Sequence, residues 1–147
     1  MACCSCSSPG GEGAVEEPAD LTSPQTWLQV ARIKLDHARQ IFNLGLYDDA
    51  ISRAYYAMFY AAKGALLTEG IELRRHSATI AKFRELFVVP GRVEADYLRY
   101  LGRAQGARER SDYAPFLPAS REDAVEILTS AEKFIAKMQA IVEAADS

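Results

Sequence analysis

The sequence of 147 residues predicts an all-α protein, an up-and-down bundle of four to five helices. Apolar residues recur at spacings of three and four in several long segments, which is the period of an amphipathic helix. No segment shows a sustained two-residue alternation or an Asn-Gly hairpin turn, so no β-strand is predicted. The connections between the segments are short, which favours antiparallel neighbours in a bundle.

The first two helices are bounded by recognisable start and stop signals. Ser23 suits the N-cap of the first helix because a proline follows it at the first helical position, and Gly45 ends that helix. Asp48 or Asp49 is predicted to cap the second helix, which runs to about Thr68. At 1.5 Å per residue this second helix is about 30 Å long, a full bundle length.

The remaining elements are a broken helical region, a loop and a final helix. Ser77 is predicted to cap a third helix that reaches Val88, and "VPG" then interrupts the pattern until about Glu94. "SDYAPFLPAS" is predicted as a loop because it contains two prolines. Ser120 and Asp123 have the spacing of a capping box and open the last helix. One domain over residues 23–145 follows from these elements.

Residues 1–22 are predicted to form a disordered tail. They are rich in Ser, Gly, Pro and Glu and offer too little apolar area to offset the entropy of ordering. Cys3, Cys4 and Cys6 are an odd number of thiols with no fourth ligand nearby, so we expect neither a disulfide nor a metal site. The chain has no long apolar run and no secretion signal, which predicts a cytoplasmic protein without a membrane segment.

Charge is unevenly distributed along the chain. The net charge is -3, but from Arg74 to Arg110 nine Lys or Arg stand against four acids. The first twenty residues contain four acids and no Lys or Arg. A basic middle in an acidic protein indicates an anionic ligand better than the overall charge does.

The second helix, which includes "ISRAYYAMFYAAKGALL", has almost no polar face. One side is made of small residues, among them Ala61 and Ala65, and allows close approach of a neighbour. A helix in a four-helix bundle needs only one stripe that faces the core. A second weakly polar stripe therefore needs another surface to pack against, and we expect a second copy of the chain to provide it. The members of that stripe are Asp49, Arg53, Tyr56, Tyr60 and Lys63. Either Arg53 forms an ion pair with Asp49, or it binds an anionic ligand.

These segments resemble the HEPN family (higher eukaryotes and prokaryotes nucleotide-binding domains), in particular its small stand-alone prokaryotic members. "YDDAISRAYYAMFYAAKGAL" is similar to the family's second helix, and "RRHSATIAKFRELFV" to its short third element. "RERSDYAPF" followed by "SREDAVEILTSAEKFI" resembles its Asp-Tyr turn and final helix. The resemblance covers residues 24–142.

The resemblance implies a dimerising bundle that binds nucleotide or RNA and often accompanies a small nucleotidyltransferase in a toxin–antitoxin pair. No cofactor is implied. Many family members are metal-independent ribonucleases with an Arg followed by a His four to six residues later. This chain departs from that signature, because no His follows Arg103, Arg108 or Arg110.

The candidate catalytic residues are His76, as the base, and Arg110, as the cation that stabilises the phosphorane. The resemblance also points to a ligand-binding cleft. Its predicted residues are Arg53, Tyr56, Tyr60, Arg110, Asp112 and Tyr113. Each has a structural alternative: His76 as a solvated loop residue, the tyrosines as core, and "RERSDY" as a helix-ending turn.

Two functional hypotheses remain, and a dimer with a purely structural role is the minimal alternative to both. The first is a homodimeric nucleotide- or RNA-binding module that acts with a nucleotidyltransferase. The second is a metal-independent ribonuclease toxin with an atypical site. The missing Arg-to-His spacing favours the first.

Overall fold

Five α-helices make up the fold in a computed structural model that describes residues 23–114 and 116–146. The helices are α1 (Pro24–Asn43), α2 (Tyr47–Leu67), α3 (His76–Phe83), α4 (Ala95–Tyr113) and α5 (Arg121–Asp146). A π-helical turn, Arg84–Val88, continues α3. No strand occurs in these two described ranges, which confirms the all-α prediction.

Helix α2 is the centre of the bundle. It packs against α1, α3, α4 and α5, and more than half of its residues are buried. Its small-residue side, including Ala61 and Ala65, is fully buried inside the single chain. The apolar composition of α2 is therefore accounted for by four neighbours within one chain, and it is not evidence for a second copy.

The ends of the helices differ in two places from the sequence-based prediction. Helix α4 continues through Tyr113, so the first three residues of the predicted loop are helical and the helix stops at Ala114, the residue before a proline. Helix α3 begins at His76, so Ser77 lies inside it and is not its cap. The capping box of Ser120 and Asp123, by contrast, is confirmed by reciprocal hydrogen bonds of 3.2 and 3.1 Å.

Asp48 has a different role from the predicted cap of α2. The helix already begins at Tyr47, with Leu46 at the cap position. The Asp48 carboxylate accepts hydrogen bonds from the Ser111 hydroxyl and from the Ala119 backbone N–H. It thereby ties the start of α2 to the end of α4 and to the α4–α5 connection.

Other predictions fall outside the described residues or remain predictions. The tail and its three cysteines lie in residues 1–22, which the structure does not describe. In the part it does describe, no helix is both long and apolar enough to cross a membrane.

Candidate functional site

One side of α2 carries a row of side chains that are neither fully buried nor fully exposed. Arg53, Tyr56, Tyr60 and Lys63 follow one another at spacings of three and four, which places them on one stripe of the helix. The stripe is about 15 Å long, since ten residues at 1.5 Å separate its ends. The sequence predicted this stripe with Asp49 as its first member, and Asp49 is exposed. The structure shows that the stripe lies next to the N-terminus of α1, the start of α3 and the end of α4.

The N-terminus of α1 closes one end of the stripe. The Trp27 ring stacks on Tyr60 with 5.6 Å between the ring centroids. The Lys63 ammonium lies 4.6 Å from the centre of the Trp27 ring. Burial lowers the pKa of Lys63, an effect that Glu72 opposes and the charge of Arg74 adds to. Aromatic rings and cations therefore alternate at this end.

His76 lies over the middle of α2 because it is the first residue of α3. Its ring stacks on Phe59 with centroids 4.0 Å apart and meets the edge of Tyr56 at 5.7 Å. Its Nδ1 atom is 3.1 Å from the hydroxyl of the buried Tyr55, and the two share one hydrogen bond whose donor depends on the imidazole tautomer. The imidazole is thus held in a fixed orientation, not solvated in a loop.

Arg108 approaches the same two tyrosines from α4. The carbon at the centre of its guanidinium lies 5.1 Å from the Tyr56 ring and 5.6 Å from the Tyr55 ring. Cation–π contacts of this kind fix the position of a guanidinium without neutralising it. No acidic side chain in the described residues forms an ion pair with Arg108.

The surroundings of Tyr55 and His76 shift the pKa values of both side chains. Burial raises the pKa of Tyr55 to about 12, even though the nearby charge of Arg108 acts in the opposite direction. Burial lowers the pKa of His76, and the positive charges of Arg108 and Lys63 lower it further. His76 is therefore neutral at pH 7 and is able to accept a proton.

Arg53 lies between two contacts that join α2 to α4. Asp48 touches Ser111 on one side of it, and Tyr56 contacts Arg108 on the other. Within the described ranges, Arg53 makes no hydrogen bond, ion pair or ring contact, so the ion pair with Asp49 is not formed. A half-buried guanidinium without a partner is available for an anionic ligand.

The three predicted site residues at the end of α4 are placed differently. Arg108 and Arg110 project about 200° apart around the helix. Arg110 lines a groove between α4 and α5 together with Arg103 and Glu126, and not the α2 side that holds His76. Asp112 is exposed, and Tyr113 is 86% exposed. A ligand-binding role for these three residues stays a prediction.

We call the α2 side of the molecule the cationic–aromatic face. It consists of Trp27, Arg53, Tyr56, Tyr60, Lys63, Arg74, His76 and Arg108. Such a surface offers positive charge for phosphates and ring faces for bases, as single-stranded nucleic acid requires. No group of three or more metal-binding side chains occurs in the part of the chain that the structure describes.

Sequence reasoning did not single out Arg108 as a ligand-binding residue. One signal was present, because Arg108 continues the buried stripe of Leu101 and Ala104 on α4. A charge on the inner side of a helix must meet a partner, and here the partners are two tyrosine rings. The contact between Tyr55 and His76 had no local signal, because it depends on where α3 packs.

Comparisons with known proteins agree with this architecture. A family model described as the HEPN domain matches residues 24–141. A protein of Methanocaldococcus jannaschii described as "Putative toxin" is 34% identical, with the match covering 78% of this chain and 85% of the relative. A crystal structure from Thermus thermophilus has a TM-score of 0.67 at 26% identity and covers 80% of this chain and 97% of that one. The structure of an archaeal HEPN homologue has a TM-score of 0.61 at 23% identity over 82% of this chain and 98% of its own.

Proposed function

The chain belongs to the HEPN domain family, and we propose that it is an RNA- or nucleotide-binding protein whose cationic–aromatic face holds the ligand. The observation that carries the proposal is the Arg108 guanidinium, which lies 5.1 Å from the Tyr56 ring. Arg53 precedes Tyr56 by three residues on the same stripe of α2, and neither arginine forms an ion pair in the described residues. Cations and an aromatic ring that a base can stack on therefore share one side of α2. Phosphates would bind the guanidinium groups while bases stack on Tyr56 and Tyr60.

Binding of a short fluorescein-labelled single-stranded RNA, followed by anisotropy, tests this proposal. Arg108→Ala is expected to weaken binding about tenfold, because a charge-assisted hydrogen bond contributes about 1.5–3 kcal/mol. The slope of the logarithm of the binding constant against the logarithm of the salt concentration should fall by about 1. Arg53→Ala should act in the same direction.

Two variants on the opposite side of α4 complete the test. Arg103→Ala is the matched control, since Arg103 is exposed and paired with Glu126 at 2.5 Å. It should change the affinity by less than about twofold, as expected for a surface ion pair. Arg110→Ala decides between the two predicted ligand sites. If it weakens binding while Arg108→Ala does not, the ligand lies in the α4–α5 groove and the face is not the site.

We further propose that the protein is a homodimer whose contact lies at the end of the bundle near Asp48. Large apolar side chains are exposed there at the last residue of α4 and on the α1–α2 and α4–α5 connections. They are Leu44, Leu46, Tyr113, Phe116 and Leu117. Monomers seldom leave such a group uncovered. A dimer through this end would bring Arg110, Asp112 and Tyr113 of both copies near one another.

Sedimentation velocity of charge variants tests the dimer. Phe116 is 79% exposed, so Phe116→Glu should shift the protein to monomer without unfolding it. Val89→Glu is the control, because Val89 is 66% exposed but lies on the α3–α4 connection. A dimer that withstands Phe116→Glu would contradict this interface.

A role in a toxin–antitoxin pair with a small nucleotidyltransferase is the biological part of the proposal. It is supported by the family and by the relative from Methanocaldococcus jannaschii whose name is "Putative toxin". Expression of the chain alone in a bacterial host should slow growth, and Arg108→Ala should relieve the effect. Normal growth at high expression would contradict a toxin acting alone in that host.

The second candidate function is a metal-independent ribonuclease, which the fixed position of His76 favours. A neutral imidazole and the Arg108 guanidinium lie on the same pair of tyrosine rings, so a base and a cation face one site. Incubation with RNA in EDTA tests it. Cleavage that His76→Ala abolishes, and that His37→Ala on the exposed side of α1 leaves intact, would establish it.

A further inference from the structure

The hydroxyl group of Tyr55 has one hydrogen-bond partner among the described residues. Tyr55 is fully buried in the middle of α2, so water does not reach this hydroxyl. Its partner is the Nδ1 atom of His76, at 3.1 Å. A buried O–H group without an acceptor destabilises a fold, and Nδ1–H donating to the Tyr55 oxygen would leave the phenolic proton in that position. The Tyr55 hydroxyl is therefore expected to be the donor and Nδ1 the acceptor.

The protonation states of the two groups agree with this direction of donation. Burial raises the pKa of Tyr55 to about 12, so its hydroxyl keeps a proton to donate at neutral pH. Burial lowers the pKa of His76, and the charges of Arg108 and Lys63 lower it further, so the imidazole is neutral at pH 7. A neutral imidazole has one N–H donor and one acceptor nitrogen. With Nδ1 as the acceptor, the proton of His76 is on Nε2.

The Nε2–H group of His76 points away from Tyr55, because the two ring nitrogens lie on opposite sides of the imidazole. Within the described ranges Nε2 makes no hydrogen bond. Stacking on Phe59, with centroids 4.0 Å apart, holds the half-buried imidazole in place. His76 and Arg108 both contact the Tyr56 ring. A ligand that stacks on Tyr56 therefore lies beside a neutral N–H donor as well as a cation.

We propose that Tyr55 is a positioning residue that keeps the proton of His76 on Nε2, and that His76 binds a phosphate oxygen of the ligand as a neutral hydrogen-bond donor. The proposal rests on the function assigned to the cationic–aromatic face above and adds how one of its groups recognises the ligand. A neutral donor displaces no counterion from a phosphate, so its contribution to affinity does not depend on salt, unlike that of Arg108. A base, by contrast, would have to take its proton at Nδ1 and displace the Tyr55 hydrogen bond, so this arrangement favours binding over cleavage.

Long-range ¹H–¹⁵N NMR spectra of the imidazole measure the tautomer directly, in the full chain without ligand at about pH 7.5. The wild-type spectrum of His76 should show a protonated Nε2 and an unprotonated Nδ1. Tyr55→Phe keeps the ring and removes only the hydroxyl, so signals of the second tautomer should appear. Tyr97→Phe is the matched control, because the Tyr97 ring contacts Phe134 of α5, and it should leave the His76 spectrum unchanged. A proton on Nδ1 in the wild type, or identical spectra of the wild type and Tyr55→Phe, would overturn the proposal.

Binding of the labelled single-stranded RNA at the same pH tests the contact made by the Nε2 proton. His76→Ala should weaken binding about tenfold without changing the salt slope, whereas Arg108→Ala lowers both the affinity and the slope. Tyr55→Phe should weaken binding about threefold, because only part of the imidazole population then presents Nε2–H to the ligand. His37→Ala, at an exposed position of α1, is the control and should have no effect. Unchanged affinity in His76→Ala, or a slope that falls as in Arg108→Ala, would overturn the proposal.

The two measurements separate the failure of this inference from the failure of the proposed function. If the wild type does not bind RNA, the proposed function and the ligand contact of His76 both fail, and the spectra still decide whether Tyr55 positions the imidazole. If Arg108→Ala weakens binding and His76→Ala does not, the function stands and the inference fails.

Discussion

Gly64 sets how closely α1 approaches α2, and its replacement by alanine is expected to destabilise the protein. A Cβ atom at this position would overlap Leu28 Cδ2 and lie 3.0 Å from the Pro24 carbonyl oxygen and 3.2 Å from Trp27 Cβ. The Leu28 methyl group can rotate away. The other two atoms belong to the backbone or are fixed to it, so the first turn of α1 has to move.

Two opposing terms set the magnitude. Overpacking of a tight contact costs about 1–3 kcal/mol. Alanine in place of glycine within a helix gains about 1 kcal/mol. We expect the first term to exceed the second because a backbone carbonyl is among the atoms contacted, and the net loss for Gly64→Ala is then about 1 kcal/mol.

Gly102→Ala and Gly106→Ala are the matched controls. Both glycines lie inside α4, and a Cβ atom at either position would meet nothing within 4 Å. Only the helix-propensity term remains there, so each substitution should stabilise the protein by up to about 1 kcal/mol. The same chemical change is therefore expected to have opposite signs in α2 and α4.

Thermal and urea denaturation measure the difference. A gap of about 2 kcal/mol between Gly64→Ala and Gly102→Ala corresponds to roughly 8 °C in melting temperature. Trp27 is the single tryptophan of the chain, so its emission should also change in Gly64→Ala as the first turn of α1 shifts. If Gly64→Ala melts at or above the wild-type temperature, the contact is not tight and the reasoning fails.

Two further predictions concern Asp48 and His76. Asp48→Ala should lower the free energy of unfolding in urea by about 1–3 kcal/mol, because the Ser111 hydroxyl and the Ala119 N–H lose their acceptor. Asp49→Ala, at the exposed neighbouring position, should change the free energy of unfolding by less than about 0.5 kcal/mol. Equal losses in the two variants would show that the hydrogen bonds of Asp48 do not stabilise the fold. Acidification below about pH 6.5 should destabilise the protein, because the unfolded chain takes up a proton that folded His76, with its lowered pKa, does not. Above that pH the contribution of His76 to stability does not change. The prediction would be contradicted if the melting temperatures of the wild type and of His76→Gln fell by the same amount on acidification.

The helices were predictable from the sequence because their signals are local. Periodic apolar residues located all five helices, and Gly45 and Gly70 end α1 and α2 in the left-handed conformation that glycine tolerates best. The end of α4 was placed too early because two prolines suggested a loop over the whole segment. Only the residue directly before a proline is strongly restricted, so the helix persists through Tyr113.

The candidate site was predictable only in part, since part of it is not local. The stripe of Arg53, Tyr56 and Tyr60 follows from helical spacing alone. Its meeting with His76 and Arg108 depends on how α3 and α4 pack around α2, which periodicity does not specify. The same gap explains why the apolar composition of α2 led to the expectation of a second copy, although other helices of the same chain cover its small-residue side.

Binding and catalysis at this face have opposite dependences on pH, so one titration separates them. A base must be unprotonated, so cleavage by His76 would rise with pH through its lowered pKa and then level off. For binding, protonated His76 adds a fifth cation to Arg53, Lys63, Arg74 and Arg108, so affinity for RNA rises as pH falls through that same pKa. His76→Gln should remove both dependences while it leaves the salt dependence at pH 7 unchanged, because the imidazole is already neutral there. Affinity that falls with acidification, by contrast, would mean that the ligand does not lie beside His76.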